Sequence, residues 1–160
     1  MENARRGMAL LLALALACGG ALAQEAVNPR VEMESAADVL AALGFAVEAP
    51  EGAEASYAVI GGATGEATFS AGGLACTLRA SRTQDDISGL FMEMSEPTEQ
   101  ERPTGEEAVT VAHRATDENG GYDVYTWFVD DVQYCLVLHG EADAAVAEQT
   151  LQGVIEACAG

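Results

Sequence analysis

Two histidines, four cysteines and a large surplus of carboxylates are the side chains in this sequence with chemistry to offer. His113 and His139 each fall in a segment with strand periodicity. Either could serve as the base of a small extracellular hydrolase, the alternative function carried here. No G-x-S-x-G elbow accompanies them, however, and no serine has a motif-level partner. A lone strand histidine is ordinarily structural, so no catalytic residue is assigned and a non-enzyme is expected. Cys76, Cys135 and Cys158 lie beyond the N-terminal segment. Their odd number allows at most one intramolecular disulfide, with all three pairings open. Each reads equally as a small buried apolar residue.

Metal and cofactor signals are sought next. No C-x-x-C or H-x-x-x-H spacing exists to build a tetrahedral zinc site. Asp117-Glu118-Asn119-Gly120-Gly121-Tyr122-Asp123 offers oxygen ligands. It lacks the D-x-D-x-D-G order and distant glutamate of a calcium loop, and reads as a hairpin turn. The glycine pairs at 61–62, 72–73 and 120–121 fall at strand reversals rather than before helices, so no phosphate loop or dinucleotide fingerprint is present. No metal and no cofactor are predicted. Carboxylate pairs of the glycosidase kind are uninformative, because 26 acidic residues supply too many of them.

Every cation in the chain is an arginine, seven in all, and the formal net charge is -19. Opposite charges concentrate only at Arg79, Arg82, Asp85 and Asp86. These could meet an anion or a peptide carboxylate through guanidinium forks. The preferred reading is a structural ion-pair network that pins the following turn. Trp127 is expected in the core opposite Tyr134, with an exposed binding aromatic as the other option. Arg79, Arg82, Asp85, Asp86 and Trp127 are the candidate ligand contacts.

These residues need elements to position them. Ser35 and Asp38 have capping-box spacing, Ala36, Val39, Leu40 and Leu43 recur at helical spacing, and Gly44 follows as a left-handed cap. From Ser56 to Ser81 the period is two. Tyr57–Ile60, the Ala67-Phe69-Ala71 segment and the Leu74-Cys76-Leu78-Ala80 segment form an antiparallel meander turned by glycine pairs. Leu90-Met92-Met94 suggests a short fourth strand, and Ser95–Glu107 a solvated loop. Val109–Arg114, Tyr122–Val129 and Val132–His139 complete the strands. A two-residue turn at Asp130-Asp131 sets Val129 against Val132, Trp127 against Tyr134 and Tyr125 against Leu136. Ala144, Ala147, Leu151, Val154, Ile155 and Cys158 then line one stripe of a C-terminal helix. The expected class is α+β: an antiparallel sheet of six or seven strands packed by a short N-terminal helix and a C-terminal helix.

Residues 1–23 have the layout of a secretory signal peptide. Arg5 and Arg6 precede the apolar run Met8–Ala17, and Ala21-Leu22-Ala23 forms an A-x-A site. That run is too short to span a bilayer. Cleavage is predicted after Ala23. The alternative is lipoprotein processing before Cys18, since Ala15-Leu16-Ala17-Cys18 loosely resembles a lipobox. Residues 24–34 read as an extended lead-in and 35–160 as a single globular domain. Such acidity excludes gripping nucleic acid through counterion release and a polybasic attraction to anionic lipid. Membrane contact is expected only through the signal peptide or a lipid anchor, and the chain is expected to be monomeric.

Several segments together resemble a known pattern. They are Asn28-Pro29-Arg30-Val31-Glu32, Ala42-Leu43-Gly44-Phe45, Val59-Ile60-Gly61-Gly62, Leu78-Arg79-Ala80-Ser81, Asp85-Asp86-Ile87-Ser88-Gly89, and Thr126-Trp127 with Tyr134. In this order they resemble an uncharacterised bacterial family, a domain of unknown function in secreted proteins, lipoproteins and the outer portions of membrane-tethered regulators. The resemblance spans nearly all of the chain after residue 23. It implies a non-enzymatic cell-envelope domain and assigns no catalytic residue. Cys76 and Cys135 stand where that pattern has polar or aromatic strand residues, so a disulfide would be particular to this chain. The expected function is therefore exported binding or sensing at the cell envelope, toward an extracellular ligand or envelope protein. A stand-alone sensor partner for a membrane regulator is a further option.

Overall fold

The computed structural model describes residues 29–83, 85–105 and 107–159; the signal-segment and Cys18 expectations lie outside them. Alternating apolar and polar side chains build one antiparallel sheet of eight strands, in the order β1-β2-β3-β4-β8-β7-β6-β5. Its strands are β1 (Arg30–Met33), β2 (Ala55–Ile60), β3 (Thr64–Ala71), β4 (Leu74–Ser81), β5 (Thr98–Thr104), β6 (Glu107–Thr116), β7 (Tyr122–Val129) and β8 (Val132–His139). Helix α1 (Ala36–Leu43) lies between β1 and β2, and α2 (Ala144–Cys158) follows β8. Two meanders of four strands thus meet along β4 and β8. The class is α+β as expected, with eight strands rather than six or seven.

Period-two patterning assigns each side chain to a face. Ala67 and Phe69 on β3, Cys76, Leu78 and Ala80 on β4, Tyr134, Leu136 and Leu138 on β8, and Tyr125 and Trp127 on β7 share one core. Val39 of α1 and Leu151, Val154 and Ile155 of α2 close over it. The β7–β8 register is the expected one: Val129 opposes Val132, Trp127 opposes Tyr134 and Tyr125 opposes Leu136. Asp130 turns the corner with φ 53°.

The predicted caps of α1 form. Ser35 Oγ accepts from the Asp38 amide at 3.3 Å and donates to Asp38 Oδ2 at 2.8 Å. Gly44 takes φ 76° and donates to the Leu40 carbonyl at 2.8 Å. Leu40 itself is exposed, because Val39 and Leu43 supply the inner face. On α2, Asp143 caps the N-terminus, and Ala144 is exposed while the rest of the predicted stripe is buried.

Three assignments change. Leu90-Met92-Met94 pairs with no strand; it is a loop over the sheet whose alternation comes from side chains facing the sheet in turn. Ser95–Glu107 is not a solvated loop throughout, since Thr98–Thr104 forms edge strand β5 against β6. Edge strands carry charges and proline without penalty, which hides them from a hydrophobicity pattern. Part of the lead-in, Arg30–Met33, pairs with β2 as the opposite edge. Among the described residues no helix is long and apolar enough to cross a membrane.

Candidate binding cleft

Opposite the helices, the sheet is polar on β3 and β4 and apolar toward β7 and β8. Arg30, Glu66, Arg79, Gln133, Cys135, Val137, Val124, Thr126, Ala112 and Arg114 face this side by register. The chain after β4 crosses it as a loop. Ile87, Leu90 and Met94 pack onto Val124, Cys135 and Val137, forming a second small apolar cluster.

The loop is held by charge. Glu66 is buried, with 5 % of its surface exposed. A lone carboxylate there would pay a heavy desolvation cost; Arg30 Nη2 at 3.0 Å and Arg79 Nε at 2.8 Å compensate it. Arg79 then uses Nη1 to donate to the Ile87 and Ser88 carbonyls at 3.2 and 2.8 Å. Gly89 sits against the same guanidinium with φ 73°, and a Cβ placed on it would lie 2.0 Å from Arg79 Nη1. Glycine is required here both for the backbone angle and for the space. Gln133, with its amide nitrogen toward the loop, donates to the Asp85 and Thr83 carbonyls at 2.9 and 3.2 Å. Farther along, the Ser95 amide donates to the Ala115 carbonyl, and the Ala115 amide donates to Ser95 Oγ.

Between this loop and strands β6, β7 and β8 lies a cleft of about 430 Å³. Leu90, Met92, Met94 and Pro97 line one wall, and Ala112, Val124 and Thr126 the other. Asp86, Glu99 and Arg114 supply its charges. Among the described residues Arg114 is the one arginine with no carboxylate within 4.0 Å. Phe91, between Leu90 and Met92, is 100 % exposed.

The sequence candidates occupy different places. Arg79 pins the following turn, but its partners are Glu66 and backbone carbonyls rather than Asp85 and Asp86. Asp86 accepts from the Ser88 amide at 2.8 Å, and Asp85 accepts from Thr83 Oγ1 at 3.0 Å. Arg82 donates to the Leu43 carbonyl at 2.9 Å, neutralising the C-terminal end of α1. It also lies 5.1 Å over Phe45 and pairs with Asp131 at 3.1 Å. Trp127 is 1 % exposed and stacks on Tyr134 on the helix side of the sheet, away from the cleft. Of the five, Asp86 alone lines the cleft.

Cys76, Cys135 and Cys158 are free and buried. Cys76 and Cys158 belong to the core under the helices, whereas Cys135 lies on the other side of the sheet. Burial pushes the thiols of Cys135 and Cys158 up to about 12, and raises that of Cys76. The histidines are also apart. His139 Nε2 meets Thr77 Oγ1 at 3.0 Å, and burial, then the charge of Arg79, lowers its pKa. His113 meets Asp123 Oδ1 at 2.6 Å and stacks on Tyr125 with ring centroids 4.6 Å apart. The Asp117–Asp123 segment is a hairpin turn with Asn119 at φ 53°. Among the described residues no group of three or more His, Cys, Asp and Glu side chains is placed to hold a metal.

Sequence reasoning passed over Glu66, Phe91 and Arg114. A carboxylate inside the Ala67-Phe69-Ala71 alternation was the only trace of Glu66. Phe91 falls between members of the Leu90-Met92-Met94 alternation, which reads as a strand and gives it no role of its own. Compared with known proteins, the chain matches no family model, no curated protein and no solved structure.

Proposed function

We propose that the protein is an exported, non-catalytic binding or sensing domain of the cell envelope, and that it binds through the cleft beneath the loop after β4. One observation carries this reading: the loop wall of the cleft is apolar and only half-buried at Leu90, Met92 and Met94, and Phe91 between the first two stands fully exposed. A contiguous apolar run left partly in water, here Leu90, Phe91, Met92 and Met94 on an anchored loop, marks a surface that acquires a partner. Export is supported by the Arg5-Arg6, Met8–Ala17 and Ala21-Leu22-Ala23 layout. Anchoring through Cys18 is the alternative to free secretion.

A second reading rests on the His113–Asp123 pair. A carboxylate on Nε2 leaves Nδ1 as the basic nitrogen, an arrangement a small hydrolase could use. Complementation of a deletion strain separates the two. Binding predicts that His113→Ala and His139→Ala restore the deleted function while Phe91→Ser does not. The reverse pattern supports hydrolysis and overturns binding. Intact mass of the exported protein decides between cleavage after Ala23 and lipidation at Cys18.

A further inference from the structure

The charge of the cleft and its apolar lining together identify a class of partner; the inference rests on the cleft being the binding site. Five carboxylates lie on the loop and the start of β5: Asp85, Asp86, Glu93, Glu96 and Glu99, all exposed. Arg114 is the single cation in the lining, which also holds Asp86 and Glu99. The apolar contribution comes from Leu90, Met92 and Met94, with fully exposed Phe91 beside them. Phe128, 44 % exposed, lies two residues beyond Thr126 on the same sheet face. Methionine is flexible and polarizable, so a methionine-lined surface repacks around varied apolar side chains. Acid at the rim selects against anionic partners and steers cationic ones, and the net charge of -19 extends that selection over the whole molecule.

We propose that this cleft binds a cationic amphipathic segment of a partner protein. The segment's apolar side chains pack on Leu90, Phe91, Met92 and Met94. Its lysines or arginines face Glu93, Glu96 and Glu99. Arg114, free of any carboxylate among the described residues, donates to backbone carbonyl oxygens of the bound segment. A long-chain carboxylate would have only Arg114 to meet and would face Asp86 and Glu99 as well. Charge complementarity therefore favours the basic segment.

Three synthetic peptides test this by titration into protein with isotopically labelled methionine methyl groups. One has leucine and lysine at helical spacing, the second is its glutamate-for-lysine twin, and the third has the first composition scrambled so that no apolar face exists. The first should bind, shifting the Met92 and Met94 methyl signals while leaving Met33 unmoved. Phe91→Ser should weaken it roughly tenfold, the consequence of removing one buried aromatic contact. Glu96→Gln with Glu99→Gln should weaken it and flatten its salt dependence. Unchanged thermal unfolding of these exposed-residue variants keeps the comparison valid. Equal binding of the scrambled peptide, or indifference to Phe91→Ser, overturns the proposal in favour of diffuse charge attraction. Preferential binding of the acidic twin or of laurate at Met92 and Met94 overturns the cationic partner but keeps the cleft as a site. Failure of all probes to move those methyl signals overturns both.

Discussion

At the residue scale, the buried thiols and the buried ion network are two ways of placing reactive groups where water cannot reach them. Cys76, Cys135 and Cys158 keep their protons because a thiolate would lose its hydration, a cost that Arg79 beside Cys135 offsets only in part. In the unfolded chain the same groups ionise at about 8.5. Because the folded values are raised, this contribution to stability is complete below that pH. It is lost as pH climbs from there toward about 12, the folded value of Cys135 and Cys158. Tyr125, raised to about 12 by burial and then by the charge of Asp123, adds to the loss above ~10. Denaturant titrations across alkaline pH should show falling stability, and replacing the three cysteines by alanine or serine should make the fall shallower. Native protein should resist iodoacetamide at mildly alkaline pH and react at all three sites once unfolded. Rapid native labelling at Cys135 would contradict the packing described.

At the scale of elements, the loop after β4 depends on one side chain from the strand before it. Arg79→Ala strips Glu66 of a partner and frees the Ile87 and Ser88 carbonyls. The expected cost is about 3 kcal/mol, in the range for breaking a buried ion pair. Amides between Asp85 and Ser95 should lose hydrogen-exchange protection more than those of β7. Uniform loss across the sheet would show that Arg79 supports the whole fold and not the loop. The loop is also where the sequence was hardest to read. Hairpin registers, glycine turns and the caps of α1 rest on local rules, so Trp127 opposite Tyr134 and Gly44 after Leu43 were legible. Strand β5 was not, because Arg102 donates to Gln100 beside it and pairs with Glu148 of α2, while Gln152 of α2 donates to the Pro103 carbonyl. An edge strand with polar contacts on one face and water on the other has no apolar period to detect. Leu90, Met92 and Met94 do alternate, yet no strand pairs with them. Their partner is the face of the sheet, and period alone does not distinguish the two. The binding candidates suffered similarly. Arg79 was visible as a charge in a charged stretch, but Glu66 lies 13 positions away.

At the scale of the whole molecule, charge opposes compactness. Four of the five arginines among the described residues are committed to carboxylates, and the remaining acids are left to repel one another. Raising salt from roughly 0.01 M to 1 M shortens the screening length from ~30 Å to ~3 Å. Screening weakens the exposed pair Arg82–Asp131, yet relieves a repulsion spread over the entire surface. Melting temperature should therefore rise with sodium chloride. A fall would mean that the local pairs outweigh the global imbalance.

The seam between β4 and β8 has a kinetic consequence. Apart from β1 with β2, whose connection holds α1, every other strand pair is a hairpin between neighbours in sequence. The seam instead joins residues as distant as Ala75 and His139. Hairpins close in microseconds, whereas bringing distant strands together must first overcome loop-closure entropy. Folding should therefore divide into two rapidly formed halves and one slow encounter, with Leu78 and Leu136 meeting in the rate-limiting step. Until that encounter, β4 and β8 each expose an open edge. Within the same chain, these two edges are each other's protection against misassembly.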